Sequence, residues 1–166
     1  MKHVLEINWS GMDEITRQVY SAVIENSNKY GTIDFRADPE FKTSHNVVHL
    51  NEPTVQLVNE IFPFVEPTVV FIELGGNGFL TPHTDGAIER GYPYNLVMPI
   101  TNIQKTRTVY YENTDLLFNE KWKTTGSVYM RDYTKMNPIF EFTFTGPTIF
   151  FNQQLHTMFN DGPDPV

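Results

Sequence analysis

Two residues apart in the stretch "FLTPHTDG", residues 79–86, stand an imidazole and a carboxylate, His83 and Asp85. A second imidazole, His156, follows "TIFFN" after three intervening residues. Two histidines and one carboxylate, the first pair tightly spaced and the last ligand far along the chain, make the set that holds Fe(II) on one face and leaves the opposite face open. With five histidines and twenty acids in 166 residues, one His-x-acid pair is nearly expected by chance. Context therefore carries the assignment. The pair sits just past an apolar run, in a loop opened by Gly75, Gly76 and Gly78, and loops at strand ends are where ligands collect. Taken singly, the pair also fits a surface turn in which the carboxylate caps backbone N–H groups, and His156 fits a buried, hydrogen-bonded histidine.

The elements that must position these groups change in character along the chain. In "DEITRQVYSAVIEN", Asp13 to Asn26, the residues Ile15, Val19, Ala22 and Val23 recur at helical spacing behind acids in the first turn, where the helix dipole favours them. "SHNVVHL", Ser44 to Leu50, reads as extended, and Pro53 opens a second helix, "PTVQLVNEIFPF". After Pro67 come short β-rich runs separated by turn residues: Thr68 to Leu74, Tyr94 to Ile100, Thr108 to Glu112, Ser127 to Met130, Ile139 to Phe144 and Thr148 to Asn152. Two helices ahead of about half a dozen strands predict helices packed outside a curled sheet, in a sandwich, barrel or jelly roll. The expectation is one mainly β domain over 1–166, with 1–65 as helical N-terminal support and 66–166 as the core.

Composition narrows the partners. An apolar fraction of 40% and an aromatic fraction of 14% predict a packed globule. A net charge of −8 offers no general attraction for nucleic acid or anionic membranes. No cysteine is present, so metal ligands must come from His, Asp and Glu. The N-terminal "MKHVLEINWSGMDE" lacks the apolar stretch of a secretory segment, and no run is long enough to span a bilayer. A soluble, cytoplasmic protein is expected, its oligomeric state open.

The pieces "LGGNGFLTPHTDG", "YNLVMPITN", "TVYYEN" and "GPTIFFNQQLHTMFNDGPDP", taken in order over roughly residues 66 to 166, resemble the core of Fe(II)/2-oxoglutarate-dependent oxygenases, in the prolyl-4-hydroxylase-like branch. The resemblance implies a double-stranded β-helix, the cupin-like jelly roll, with Fe(II) on His83, Asp85 and His156. It also implies 2-oxoglutarate as co-substrate, whose oxidative decarboxylation to succinate by O₂ accompanies hydroxylation of a C–H bond in a small molecule or a peptide or protein residue. The iron would carry the hard chemistry and the protein would orient it.

The chain departs from that pattern in two places. A basic residue about ten positions past the last histidine usually pairs with the co-substrate's far carboxylate, and here Val166 ends the sequence. Leu74 also holds a place where a tyrosine is common. Either one strand lies beyond Val166, or the anchor is elsewhere, or no 2-oxoglutarate binds. Substitute contacts are Arg107, Tyr110 or Tyr111, and Asn95. A non-catalytic cupin-like binding module is the competing reading.

The remaining candidates have plainer readings. His45 and His49 read as surface residues, Arg90 as a solvated loop charge, and Trp122 equally as a lid or a packing aromatic. The basic residues from Lys105 to Lys135 are interleaved with Glu112, Asp115, Glu120 and Asp132, which describes a mixed solvated face. No helix start or Lys-Ser/Thr follows "GGNG", so its glycines read as turn residues and not as a phosphate cradle.

Overall fold

Val19 and Val23 bury one stripe of a helix, α1 (Met12–Tyr30), whose first turn carries Asp13 and Glu14. The helix runs past Asn26 because the sequence offers no breaker before Gly31. The second helix, α2 (Glu52–Ile61), is capped by Asn51, whose side chain accepts from the Thr54 N–H at 3.0 Å. Its Pro53 stands in the first turn, where no N–H is needed. The computed structural model describes residues 4–7, 11–30, 32–38, 43–48, 50–63, 69–85, 94–99, 104–112 and 136–166. Among these, no helix is long and apolar enough to cross a membrane.

Nine strands accompany the two helices in the described residues, so the chain is mainly β. They are β1 (Val4–Glu6), β2 (Thr32–Asp38), β3 (Thr43–Val48), β4 (Val69–Leu74), β5 (Tyr94–Val97), β6 (Thr106–Tyr111), β7 (Pro138–Phe142), β8 (Thr148–Phe151) and β9 (His156–Asn160). They pair antiparallel in three sheets of three, ordered β1-β8-β5, β2-β3-β4 and β7-β6-β9. The expectation of helices followed by strands is corrected in part: β3 falls on the stretch that reads as extended, but β1 and β2 also lie among the helices, and residues 1–65 are more than helical support. β1 pairs with β8, and β3 with β4. β1 is too short to show a period. β2 does alternate, Ile33, Phe35 and Ala37 against Asp34, Arg36 and Asp38, but its charges disguised it. The expected strand at Ser127 to Met130 and the loop bearing Trp122 lie outside the described residues, as do Arg90, His49 and the side chain of His45.

The core has two apolar parts. Ile7, Val19, Val23, Val48, Val58 and Phe62 form one, with Leu96 and Ile149 of the β1-β8-β5 sheet packed against it. Val109, Tyr111, Met136, Leu155 and Phe159 form the other. Between β8 and the β7-β6-β9 sheet runs an aromatic series: Phe142 meets Phe144 edge-on at 4.9 Å, Phe144 meets Phe150 at 6.4 Å, and Phe150 meets the His156 ring at 5.2 Å. The final residue also joins a strand edge, with Val166 and Leu74 exchanging both backbone hydrogen bonds at 2.9 Å.

Candidate metal centre

The turn after β4 sets up the site. Gly78 N–H closes it onto Gly75 O at 2.8 Å, and its left-handed position is taken by Asn77, φ 55°, a residue that tolerates this region better than most. Gly76 has a different reason to be glycine. A Cβ there would stand 1.7 Å from Pro163 O.

Past the turn, residues 79 to 83 run antiparallel along the free edge of β9. Phe79 pairs with Phe159 and His83 with His156, so one side takes four steps where the other takes three. The mismatch is a bulge, and Pro82, which has no N–H for the ladder, stands within it. In a regular strand His83 would share the face of Phe79 and Phe159. The extra residue turns it to the opposite face, the one His156 occupies. The two backbones exchange hydrogen bonds at 2.8 and 2.9 Å, and the ring centroids lie 4.6 Å apart.

Both imidazoles are oriented alike. His83 Nδ1 lies 2.6 Å from Thr81 O, and His156 Nδ1 lies 2.9 Å from Gln154 O. A carbonyl oxygen only accepts, so each Nδ1 carries a proton, and each Nε2 is the atom left to bind a cation. Those atoms face one carboxylate: Asp85 Oδ1 is 3.1 Å from His83 Nε2, and Asp85 Oδ2 is 3.9 Å from His156 Nε2. The ligand atoms of the three residues all lie within 4.8 Å of one another, a group that could hold a metal ion. Donor atoms at right angles around one ion, each about 2.1 Å from it, stand about 3.0 Å apart. The Asp85–His83 pair has that spacing.

Burial tunes the group. His83 and His156 are buried and Asp85 is half-buried. Desolvation holds the His156 imidazole well below its ordinary value, at about 4; His83 pushes the same way, while Asp85 and the Gln154 carbonyl oppose it. His156 is thus neutral, as a metal ligand must be. Tyr110, opposite His156 in the β6–β9 ladder, has its ring 5.7 Å from the imidazole and donates its hydroxyl to Phe151 O at 2.9 Å. Burial, and then the Asp85 carboxylate, raise its phenol well above the usual range, so it stays protonated.

The other expected contacts divide. Asn95 enters the site, with its Nδ2 donating to Asp85 Oδ2 at 2.6 Å. Arg107 does not. Three residues from Tyr110 on β6, it points to the other face of the sheet, where Nε donates to Asp161 Oδ2 at 2.7 Å and the guanidinium lies 4.1 Å above the Phe159 ring. Glu141 is a further partner at 3.4 Å. Sequence reading also missed Asn152 and Gln153, which join Asn95 and Asp85 in one hydrogen-bonded chain. Their only trace in the sequence is the amide-rich "FNQQ" ahead of His156. No protein-family profile matches the sequence, and no curated protein is similar to it.

Proposed function

We propose that the chain is a non-haem Fe(II)- and 2-oxoglutarate-dependent dioxygenase that hydroxylates a C–H bond of a small molecule or of a peptide or protein residue. One observation carries this reading. His83 Nε2 and Asp85 Oδ1 face each other at 3.1 Å, the spacing of two donor atoms at right angles around one ion, and a shared cation, whether a proton or a metal ion, relieves the repulsion between their lone pairs. With His156 Nε2 as the third donor, the two-His-one-carboxylate set suits Fe(II) with open positions. The strand order supports a double-stranded β-helix: β7-β6-β9, extended by residues 79 to 83, faces β5-β8 across the aromatic series.

His83, Asp85 and His156 would hold the iron, which supplies the O₂ chemistry when bound. The chain's own part is to fix both Nε2 atoms through the Thr81 and Gln154 carbonyls, to keep His156 neutral and to keep the Tyr110 phenol protonated beside the centre. Phe150 and Tyr110 flank the His156 ring and exclude water from that side. The deciding experiment incubates the chain with Fe(II), O₂ and 2-oxoglutarate and follows succinate. Formation that vanishes in Asp85→Ala supports the reading; an Asp85→Ala protein of full activity overturns it.

A second reading draws on the cations. Arg17 pairs with Glu14, the Lys105 side chain lies near Gly162, and Arg107 is engaged by Asp161. None of these described cations stands at the triad to meet the far carboxylate of 2-oxoglutarate, which favours a cupin-like metal-binding module. Metal binding without succinate formation would select it.

A further inference from the structure

Three side chains beside the triad form a directed series that ends on Asp85. Gln153 Nε2 donates to Asn152 Oδ1 at 3.0 Å, Asn152 Nδ2 donates to Asn95 Oδ1 at 2.9 Å, and Asn95 Nδ2 donates to Asp85 Oδ2 at 2.6 Å. Because an ionised carboxylate only accepts, the last bond fixes the orientation of Asn95, and each amide then fixes the next. The donors all point toward Asp85, and bonds aligned head to tail polarise one another. The series is anchored at its far end, where Gln153 Nε2 also donates to Asp85 O at 2.8 Å, and the Asp85 N–H donates to Asn152 O at 2.9 Å. Asn152 is buried, and Asn95 and Gln153 are partly so, so water competes weakly for these bonds.

We propose that Asn95, held by Asn152 and Gln153, is a positioning residue that occupies Asp85 Oδ2 and leaves Oδ1 as the single carboxylate oxygen offered to the metal. This rests on the metal-centre reading of the triad. The physical consequence is the number of open positions. A carboxylate free to rotate can grip an ion with both oxygens and take one more coordination site. The relay holds one oxygen back, and the set then leaves the three free positions that a six-coordinate ion needs for its other ligands. Asn95 is therefore given to orienting Asp85 through one of its two amide hydrogens.

Mn(II) alone, added to the full chain, tests this through two readouts that need no turnover: affinity, from the electron paramagnetic resonance of free Mn(II), and the number of exchangeable waters per bound ion, from water-proton relaxivity. Asn95→Ala is expected to weaken Mn(II) binding about 10- to 100-fold, the usual cost of losing an outer partner of a ligand, and to remove about one of three exchangeable waters. Asn152→Ala should move both quantities the same way by less. Combined with Asn95→Ala it should add little, since the Asn152 side chain reaches the Asp85 carboxylate through Asn95. Wild-type affinity in Asn95→Ala, an unchanged water number, or an additive double variant would overturn the proposal while leaving the metal reading intact. Should Asn95→Ala not fold, Asn152→Ala carries the same test from two bonds away. A wild-type chain that binds no Mn(II) overturns the metal reading itself.

Discussion

His83 and His156 face each other across a backbone bridge, exchanging N–H···O bonds of 2.8 and 2.9 Å, and each ring is held by the carbonyl two residues before it. The two Nε2 atoms are thereby aimed before any ion arrives, so metal binding should need little reorganisation. Adding Mn(II) or Co(II) at about 100 times its dissociation constant should stabilise the fold by about 2.7 kcal/mol, or roughly 5–10 °C in Tm for a chain of this size. Thermal unfolding with and without metal, reversed by a chelator, measures it. No shift at saturating metal would count against the centre.

Removal of a ligand should separate binding from folding. Asp85 is half-buried, and Asp85→Ala gives up little apolar area. Its metal-free stability should fall only by the cost of the Asn95 donor left without its acceptor, about 1–3 kcal/mol, while the metal-induced rise disappears. Collapse of the fold in Asp85→Ala would instead mark the residue as structural.

The buried imidazole predicts a pH dependence for the metal-free protein. His156 has a folded-state value of about 4 against an ordinary 6.5, so between those values the unfolded chain binds a proton that the native chain refuses. Stability from this group is fully present above 6.5 and drains away as pH falls toward 4, by an amount on the order of 3 kcal/mol. Urea unfolding from pH 7.5 to 4.5 should show a shallower loss in His156→Asn than in wild type. Parallel curves would contradict the assignment.

Arg107 offers a contrast. It is partly exposed, paired with Asp161 and Glu141, and stacked over Phe159, on the sheet face away from Tyr110. Arg107→Ala should cost roughly 1 kcal/mol, through a solvent-screened ion-pair network and a cation–π contact. It should leave 2-oxoglutarate affinity unchanged, measured with Fe(II) replaced by an inert metal. Tight binding lost in this variant would mean that the guanidinium reaches the site after all.

Leu155, next to His156, is fully buried in the cluster with Val109, Tyr111 and Phe159. Leu155→Ala should cost about 2–5 kcal/mol by leaving a cavity, and denaturant unfolding will measure it. Its side chain lies on the face of β9 opposite His156, so metal affinity should fall far less than in Asp85→Ala.

Residue chemistry alone was enough to single out the three residues that the fold brings together, because without cysteine only His, Asp and Glu can serve as metal ligands, and His83, Asp85 and His156 stand where strands end. The same was true of α1 and α2, whose apolar spacing and first-turn residues act locally, and of most strands after β4, whose apolar runs are legible without partners. Three things required the folded chain. The face that His83 presents depends on the bulge at Pro82, and a bulge exists only relative to β9, since register is a relation between strands. Arg107 and Tyr110 look equally available on one short run, yet alternation on a sheet sends one to Asp161 and the other to His156. The relay from Gln153 to Asp85 joins residues on both sides of a long sequence gap, and hydrogen bonds between side chains that far apart form only once β5 and β8 pair.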